Sequence, residues 1–490
     1  MGDITMPDST APSSTFGASS SSLFVTSPTA TDPYTYQTGF GNRFASEAIP
    51  NTLPIGRNTP QKCKYDLYSE QLNGTSFVSS RASVQHAWFY RIRPSAAHRA
   101  VSKINSTPHI EANFTINNPK VSFVPHTLTW AQFPIPSSSE SVDFIQGLKT
   151  ISGHGDPVTK EGLSVHMYTA NTSMGKRAFA SHDGDMLIMP SLGRLNIQTE
   201  MGRMMVAPGE VAVIQAGIRF KVSLPDGPVR GYIQEIFGAH YELPELGPLG
   251  SNGMAAPRDF QTPVASFDID STSWEIVYKL AGKLYQCQQD HTPFDVVAWH
   301  GNYAPYKYDV SRFIPSAVVD KDQSDPSVYI VLMARSKIPG VALTEVMMFP
   351  PKWTVNDSFR PPYYHRNVAT EIMGLVYGSY AGSSKDLQVG GLSFQSSFMP
   401  HGETYETYKE ASEMELTPVR TGEGSLAFMF HIGNHCAVTD YALESTGVLI
   451  ENNPKLWDSV QGGFLNHLEE VNSDLLAAGK KPLGEGEPTS

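Results

Sequence analysis

The chain has 490 residues, 40% of them hydrophobic and 17% charged, which is typical of a globular protein with two or more domains. A formal net charge of -12, with no run rich in lysine and arginine, argues against nucleic acid or an anionic membrane as the main partner. The three cysteines are scattered and no stretch approaches the length of a membrane span, so we expect a cytoplasmic protein without disulfides.

The first predicted element is a disordered, Ser/Thr-rich tail over residues 1–33, which has neither the cationic nor the apolar region of a secretory signal. Short strands bounded by Gly, Pro, Asn and Asp follow, most clearly in "DGDMLIMPSLGRLNIQTEMGRMMVAPGEVAVIQAG", residues 183–217. Strands at this regular spacing predict a β-sandwich or jelly-roll domain over residues 34–312.

A second region of short strands bounded by turn residues begins near "PSVYIVLMARS" and ends near "AFMFHIGN". It predicts a second jelly roll, of the cupin-like kind, over residues 313–460. Residues 461–490 form a predicted C-terminal tail, and "GFLNHLEEVNSDLLAAGKKP" within it is the best helix candidate. The predicted fold class is therefore all-β.

The segment "FRPPYYHRNVATEIMGLVYG", residues 359–378, places His365 six residues before Glu371 at the head of an apolar, strand-like run. A buried carboxylate costs several kcal/mol unless it has a partner or a metal. A salt-bridged loop would explain His365 and Glu371 alone. The later "GGLSFQSSFMPHGE" supplies His401, and two histidines with one carboxylate form the facial triad that holds non-haem Fe(II). The order His, E-x6-G, His also resembles the cupin pattern.

Several longer stretches carry a more specific resemblance. These are "YQTGFGNRFASEAIPNTLPIGRNTPQKCKYDLYSEQLNGTSF", "VAWHGNYAPYKY", "FPPKWTVNDSFRPPYYHRN", "EIMGLVYGSY" and "MPHG". In this order they are similar to the homogentisate 1,2-dioxygenase family, from about residue 35 to about residue 455. The resemblance implies an N-terminal β-sandwich domain, a C-terminal cupin-like domain that carries Fe(II), and a homo-oligomer, a hexamer built from two trimers.

Carried over residue by residue, the resemblance implies iron ligands at His365, Glu371 and His401, which all match. It implies a substrate-contacting tyrosine at Tyr380, and Tyr363 beside the first ligand is retained. The implied substrates are a small aromatic acid and O2. The implied reaction is the extradiol-type cleavage of homogentisate to maleylacetoacetate, in tyrosine and phenylalanine catabolism.

Two positions depart from the family pattern. The family's catalytic histidine corresponds to Gln323 here, and a second pocket histidine corresponds to Gln395. Glutamine can hydrogen-bond a phenol or a carboxylate, but it cannot take up a proton near neutral pH. We therefore keep His300, in "WHGNY", as a candidate substitute base.

Three functions remain open from the sequence. The first is homogentisate cleavage, and the second is cleavage of a different hydroquinone-like acid by a diverged paralogue, which the two glutamines favour. The third, of a different class, is a non-catalytic cupin-like binding protein. Two further groups of possible ligands, His431 with His435 and His182 with two nearby aspartates, are predicted to bind no metal.

Overall fold

The computed structural model describes residues 26, 28–105, 109–245, 254–315, 329–354, 364–380, 387–451, 453, 455–460 and 462–484. Within them the regular secondary structure is almost entirely β-strand, so the predicted all-β class is confirmed. Its α-helices are α1 (Tyr405–Glu413) and α2 (Leu468–Ala477), and α2 lies inside the segment predicted to be helical. No helix in the described ranges is long and apolar enough to cross a membrane.

A ten-stranded sheet, the central sheet, forms the middle layer of the fold. Its strands in spatial order are β1 (Tyr36–Thr38), β17 (Phe260–Pro263), β21 (Tyr306–Asp309), β14 (Glu210–Ile214), β11 (Gly184–Leu192), β16 (Val229–Phe237), β9 (Glu161–Ala170), β8 (Leu148–Asp156), β29 (Ala437–Thr439) and β6 (Val121–Ser122).

A seven-stranded sheet packs on each face of the central sheet. The N-terminal sheet runs β13 (Gly202–Val206), β12 (Leu195–Thr199), β15 (Phe220–Ser223), β10 (Arg177–Ser181), β18 (Trp274–Leu280), β19 (Lys283–Gln289) and β5 (Ser102–Lys103). The C-terminal sheet runs β22 (Ile330–Arg335), β23 (Ala342–Phe349), β28 (Leu426–Ile432), β25 (Thr370–Tyr377), β26 (Leu392–Gln395), β7 (Leu128–Trp130) and β30 (Leu449–Ile450).

Two smaller sheets lie outside these three layers. A four-stranded sheet runs β2 (Phe44–Glu47), β20 (Val296–Gly301), β4 (His86–Arg91) and β3 (Tyr68–Asn73), and a two-stranded sheet pairs β24 (Lys352–Thr354) with β27 (Val419–Thr421). Among the described strand pairs, β10 with β18 is parallel and the others are antiparallel. The layers are therefore built mainly from antiparallel neighbours.

The side-chain pattern of β9 explains the layered arrangement. Val165 and Met167 belong to the core that the central sheet shares with the C-terminal sheet, whereas Tyr168 and Ala170 belong to the core on the opposite side. Successive strand residues point to opposite faces of the sheet. A strand that is covered on both faces therefore needs apolar residues at its odd and its even positions alike. This is why the central strands read as nearly continuous apolar runs.

The two sequence halves exchange one short strand each. β7, from the N-terminal half, lies in the C-terminal sheet, and β29, from the C-terminal half, lies in the central sheet. Trp130, at the end of β7, is fully buried, and its indole N–H donates to the carbonyl of Ala442 at 2.7 Å. The C-terminal sheet therefore includes a strand supplied from about two hundred and sixty residues upstream of β26.

A buried ion cluster joins the central sheet to the N-terminal sheet. The ammonium of Lys279 lies 2.5 Å from Asp183 and 2.6 Å from Glu235, and all three side chains are almost completely inaccessible. Glu235 also contacts His166 at 3.3 Å. Burial alone would raise the pKa of Glu235, but Lys279 and His166 lower it by more, to about 2. The carboxylate therefore stays charged and is satisfied inside the core.

The predicted tail and domain limits stay predictions. Most of residues 1–33 lie outside the described residues, but Asp32 is ordered and pairs with Lys307 of β21 at 2.7 Å. The last residues of the predicted tail therefore contact the central sheet.

Candidate metal centre

Strand β25 places Glu371 on the face of the C-terminal sheet that points away from the central sheet. Its neighbour Ile372 packs in the shared core, so Glu371, one residue earlier, projects to the other side. Cross-strand partners of Glu371 are His431 on β28 and Gln395 on β26. Directly opposed residues share a face, and these three polar side chains therefore form a row across the sheet.

A glycine ends the strand that carries Glu371. Gly378 has φ of +82°, and a Cβ at this position would collide with the carbonyl oxygen of Gly424. Only glycine adopts this backbone conformation at little cost. The E-x6-G pattern thus marks the length of β25, from the ligand to the turn.

His365 and His401 are brought together by a short backbone bridge. The N–H of His365 donates to the carbonyl of His401 at 2.9 Å, and the N–H of His401 donates to the carbonyl of His365 at 3.0 Å. Their ring centroids are 4.2 Å apart. The two loops are thus held side by side at the end of β25.

The three predicted ligands converge on one point. Nε2 of His401 is 3.1 Å from one carboxylate oxygen of Glu371, and Nε2 of His365 is 3.7 Å from the other. One ligand atom from each residue lies within 4.8 Å of the others, and this is the single three-residue group of that kind within the described ranges. Bonds of about 2.1 Å that meet near a right angle put ligand atoms about 3 Å apart, so a small divalent ion fits after a modest contraction.

Hydrogen bonds around the triad set the orientation of two ligands. Nδ1 of His401 is 2.8 Å from the carbonyl of Met399, which requires a proton on Nδ1 and makes Nε2, the nitrogen that faces Glu371, the atom that would bind a metal. The amide of Asn367 donates to Oε1 of Glu371 at 2.7 Å. The sequence analysis missed Asn367, although its position between the first two ligands was a usable signal.

The electrostatics favour an ionised carboxylate. Burial raises the pKa of Glu371, but hydrogen bonds with His365, His401 and Asn367 outweigh this effect and hold the pKa well below its usual range. Tyr380 shows the opposite shift, because burial, Glu403 and Glu371 together raise the pKa of its hydroxyl far above neutral pH. At neutral pH the site therefore offers a charged ligand beside a protonated phenol.

An apolar wall adjoins the triad on the same side of the sheet. Leu375, Leu387 and Ala427 form a small buried cluster, and Met373 and Tyr380 pack against it. Tyr380 is thus placed between this cluster and the carboxylates that shift its pKa.

Gln395, the second of the two predicted glutamine positions, belongs to the row of polar side chains that contains Glu371 and His431. Gln395 stands opposite Glu371, and its amide oxygen accepts from the hydroxyl of Thr127 at 2.6 Å. Among the described residues its amide nitrogen has no hydrogen-bond acceptor, so it can donate to a ligand. Gln323 and Tyr363 lie outside the described residues.

His300 lies in a different sheet from the strand that carries Glu371. It lies on β20 of the four-stranded sheet, and its Nε2 is 3.4 Å from the hydroxyl of Tyr90. Burial lowers the pKa of His300. Its role as a substitute base stays a prediction.

A carboxylate–histidine pair was not foreseen in the sequence. Nδ1 of His431 is 2.7 Å from Glu345, which stands directly across from it on β23. His431 therefore lies between Glu345 and Glu371 in the row, but it is not part of the three-residue ligand group. His435 lies just beyond β28, where its carbonyl accepts from His154.

Known proteins match the chain along almost all of its described length. A family model described as homogentisate 1,2-dioxygenase N-terminal matches residues 35–310, and one described as homogentisate 1,2-dioxygenase C-terminal matches residues 311–464. The homogentisate 1,2-dioxygenase of Emericella nidulans is 44% identical over 439 residues, 88% of this chain and 96% of that protein. That of Homo sapiens is 43% identical over 88% of this chain and 96% of its own length. That of Arabidopsis thaliana is 46% identical over 84% of this chain and 89% of its own length.

Proposed function

Because the chain belongs to the homogentisate 1,2-dioxygenase family, we propose that it is an Fe(II)-dependent dioxygenase that converts homogentisate and O2 to maleylacetoacetate. The observation that carries this proposal is the convergence of His365, Glu371 and His401, within 4.8 Å, on the side of the C-terminal sheet that faces away from the central sheet. Two imidazoles and one carboxylate on one side of an ion are the ligand set of non-haem Fe(II) oxygenases. The proposed site residues thus fit the proposed cofactor.

His365, Glu371 and His401 would hold the ferrous ion, which would supply Lewis acidity and the electrons for O2 activation. The protein's part is to keep the ligands in the required protonation states. Asn367 and the carbonyl of Met399 hold Glu371 and His401 for this purpose.

Tyr380 is proposed to orient the substrate. Its raised pKa keeps the hydroxyl protonated at neutral pH, so that it can donate a hydrogen bond to a carboxylate or phenolate oxygen. The adjoining apolar cluster around Leu375 would receive the aromatic ring and exclude water from it. These contacts would fix the ring relative to the triad.

A second candidate substrate is favoured by one observation. Gln395 faces the site, and its amide is oriented by Thr127 in a way that leaves its N–H donors available within the described part of the chain. Such a donor suits a substrate that presents an additional acceptor. The alternative is therefore a paralogue that cleaves a different hydroquinone-like aromatic acid.

The family also leads to proposals at a larger scale. We propose that the enzyme acts in the cytoplasm, in tyrosine and phenylalanine catabolism, and that it is a hexamer built as two trimers. Sedimentation equilibrium of the purified protein measures the assembly directly.

The deciding experiment is anaerobic loading with Fe(II), followed by oxygen consumption with homogentisate and with a panel of other hydroquinone-like acids. We expect about one iron per chain, and a product that carries both atoms of isotopically labelled O2. His365→Ala serves as the matched protein that lacks a ligand. The proposal fails if iron-loaded protein consumes no oxygen with any acid in the panel, or consumes it equally well after His365→Ala.

A further inference from the structure

A cavity separate from the candidate metal centre opens beside strands β8 and β9. It has a volume of about 400 Å³, which is within the range of small-molecule sites. None of its lining residues belongs to the triad or donates a hydrogen bond to it. Its lining includes Phe133, Ile135, Glu140, Lys149, Met167 and Tyr441.

One lysine lines this cavity without a counter-ion. Lys149 projects from β8 and is half-buried, and no carboxylate or hydrogen-bond acceptor among the described residues satisfies its ammonium. Burial lowers the pKa of Lys149. An ammonium in this position is only partly hydrated and gains from an anionic partner.

Further basic residues, among them a buried arginine, lie close to the same cavity. The pKa of His109 is lowered by burial and then by the charges of Lys149 and Lys120, so both lysines lie near this imidazole. Arg230 stands opposite the lining residue Thr169 and donates to the carbonyl of the lining residue Phe133 at 3.0 Å. Arg230 is 4% exposed, and its Nε has no hydrogen-bond partner in the described ranges.

The cavity wall is fixed by hydrogen bonds. The side-chain amide of Asn171 donates to the carbonyls of Ser137 and Glu140, at 2.9 and 2.8 Å, and so holds the loop that covers one side. On the other side Tyr441 begins a π-helical turn, Tyr441–Ser445, and stacks on His109 at 4.4 Å. Such π-helical turns are rare in proteins, and those that occur are often found at functional sites. The cavity thus lies between two segments that are each held in place, the loop by hydrogen bonds and the π-helical turn by the stacking of Tyr441 on His109.

We infer that this cavity, the Lys149 cavity, binds a small monocarboxylate with a compact apolar body. The Lys149 ammonium would pair with the carboxylate. Phe133, Ile135 and Met167 would contact the apolar part, and the rim would leave the ligand partly open to solvent.

The composition of the lining favours a single negative charge. Glu140 also lines the cavity, and its carboxylate repels a dianion such as phosphate more strongly than it repels a monocarboxylate. Lys149 is the one cationic side chain in the lining, so the bidentate clamp that recognises phosphate is missing there. A monocarboxylate needs only one such partner.

Binding of 4-fluorophenylacetate to the iron-loaded, full-length protein, followed by ¹⁹F NMR, tests the inference. Lys149→Met should weaken binding by about tenfold or more, since a hydrogen bond to a charged group is lost. Lys149→Arg should retain it, and the neutral 4-fluorophenylacetamide should bind the unmodified protein about tenfold less well. Lys283→Met, which removes an exposed lysine of β19 outside the cavity, is the matched control and should bind normally.

A competition experiment separates this cavity from the candidate metal centre. Under anaerobic conditions, excess homogentisate should not displace 4-fluorophenylacetate. Displacement, equal binding by Lys149→Met, or equal binding of the neutral amide would each overturn the inference. Because the readout is binding alone, this result is independent of whether the protein cleaves homogentisate.

Discussion

At the scale of single residues, Glu371 is explained by its neighbours. A carboxylate that is 8% exposed at the head of an apolar strand is costly unless other groups stabilise its charge. Here two imidazoles and the amide of Asn367 surround it, and they lower its pKa against the effect of burial. The same arrangement keeps the carboxylate ready for a divalent ion at neutral pH.

His365→Ala should abolish iron retention, because a facial triad that loses one of three protein ligands holds the ion much more weakly. His431→Ala should leave about one iron per chain, since His431 pairs with Glu345 and is not in the ligand group. Metal analysis after gel filtration measures both. Stoichiometric iron in His365→Ala, or its loss in His431→Ala, would show that the ligands are assigned wrongly.

The second residue-scale prediction concerns Gln323. A positioned acid–base group typically contributes about 10²–10⁴-fold to a reaction rate. If homogentisate is the substrate and no other group replaces the histidine, Gln323→His should raise kcat/KM for homogentisate by up to about that factor. If another acid is the substrate, the same change should impair its turnover, because a hydrogen bond suited to that acid is lost.

Steady-state kinetics of Gln323→His on homogentisate and on the best substrate of the panel distinguish these outcomes. Gln323→Asn, which keeps the amide but shortens the side chain, is the control. Rapid cleavage of homogentisate by the unmodified protein would contradict the need for a histidine at this position.

At the scale of elements, charged side chains join segments that are distant in sequence. Nδ1 of His240 is 2.8 Å from Asp185 of β11, and Nε2 of His240 is 2.9 Å from the carbonyl of Gly74. The imidazolium therefore connects the loop after β16 to β11 and to the turn after β3. Burial lowers the pKa of His240, but Asp185 and Gly74 raise it by more, to about 9.

This pair predicts a pH-dependent contribution to stability. The folded-state pKa of His240 lies above the unfolded value of about 6.5, so its charge stabilises the fold fully below pH ~6.5 and progressively less as the pH rises through about 9. His240→Gln should cost about 2–3 kcal/mol at pH 6 and much less at pH 10. Urea unfolding of both proteins across this range measures the difference.

His98→Gln, which removes an exposed histidine, is the control for that experiment and should change stability little at any of these pH values. A cost for His240→Gln that is the same at pH 6 and pH 10 would mean that the charge of His240 contributes nothing.

At the scale of the whole molecule, the exchanged strands make the two sequence halves interdependent. β7 pairs with both β26 and β30, so the C-terminal sheet is interrupted without it. The central sheet likewise covers one entire face of the C-terminal sheet, in a shared core that includes Val165, Tyr232 and Phe430.

A fragment of residues 313–464 should therefore fail to fold when it is expressed alone. It lacks β7 and the apolar face that buries Ile372 and Phe430, and the exposed edge and core would favour aggregation. Circular dichroism and proteolysis of the fragment test this expectation, with the full chain as control. A monomeric, protease-resistant fragment that binds iron would contradict it.

The sequence by itself determined the all-β class and singled out three residues that converge as possible metal ligands, because both follow from local sequence patterns. Turn residues at short intervals set strand lengths, and His365, Glu371 and His401 occur in short motifs that carry their own geometry. Helix α1, by contrast, was missed. It has no buried residue, so no apolar stripe marks it, and its clearest signal is the cap at Thr404.

Only the tertiary structure decided which distant segments meet. The pairing of β7 with β26, the contact of His431 with Glu345, and the open ammonium of Lys149 depend on sheet order and register, which a single sequence does not encode at short range. The layered order of the sheets had the same origin. Continuous apolar runs show that a strand is covered on both faces, but which sheet covers each face is settled by packing across the whole chain.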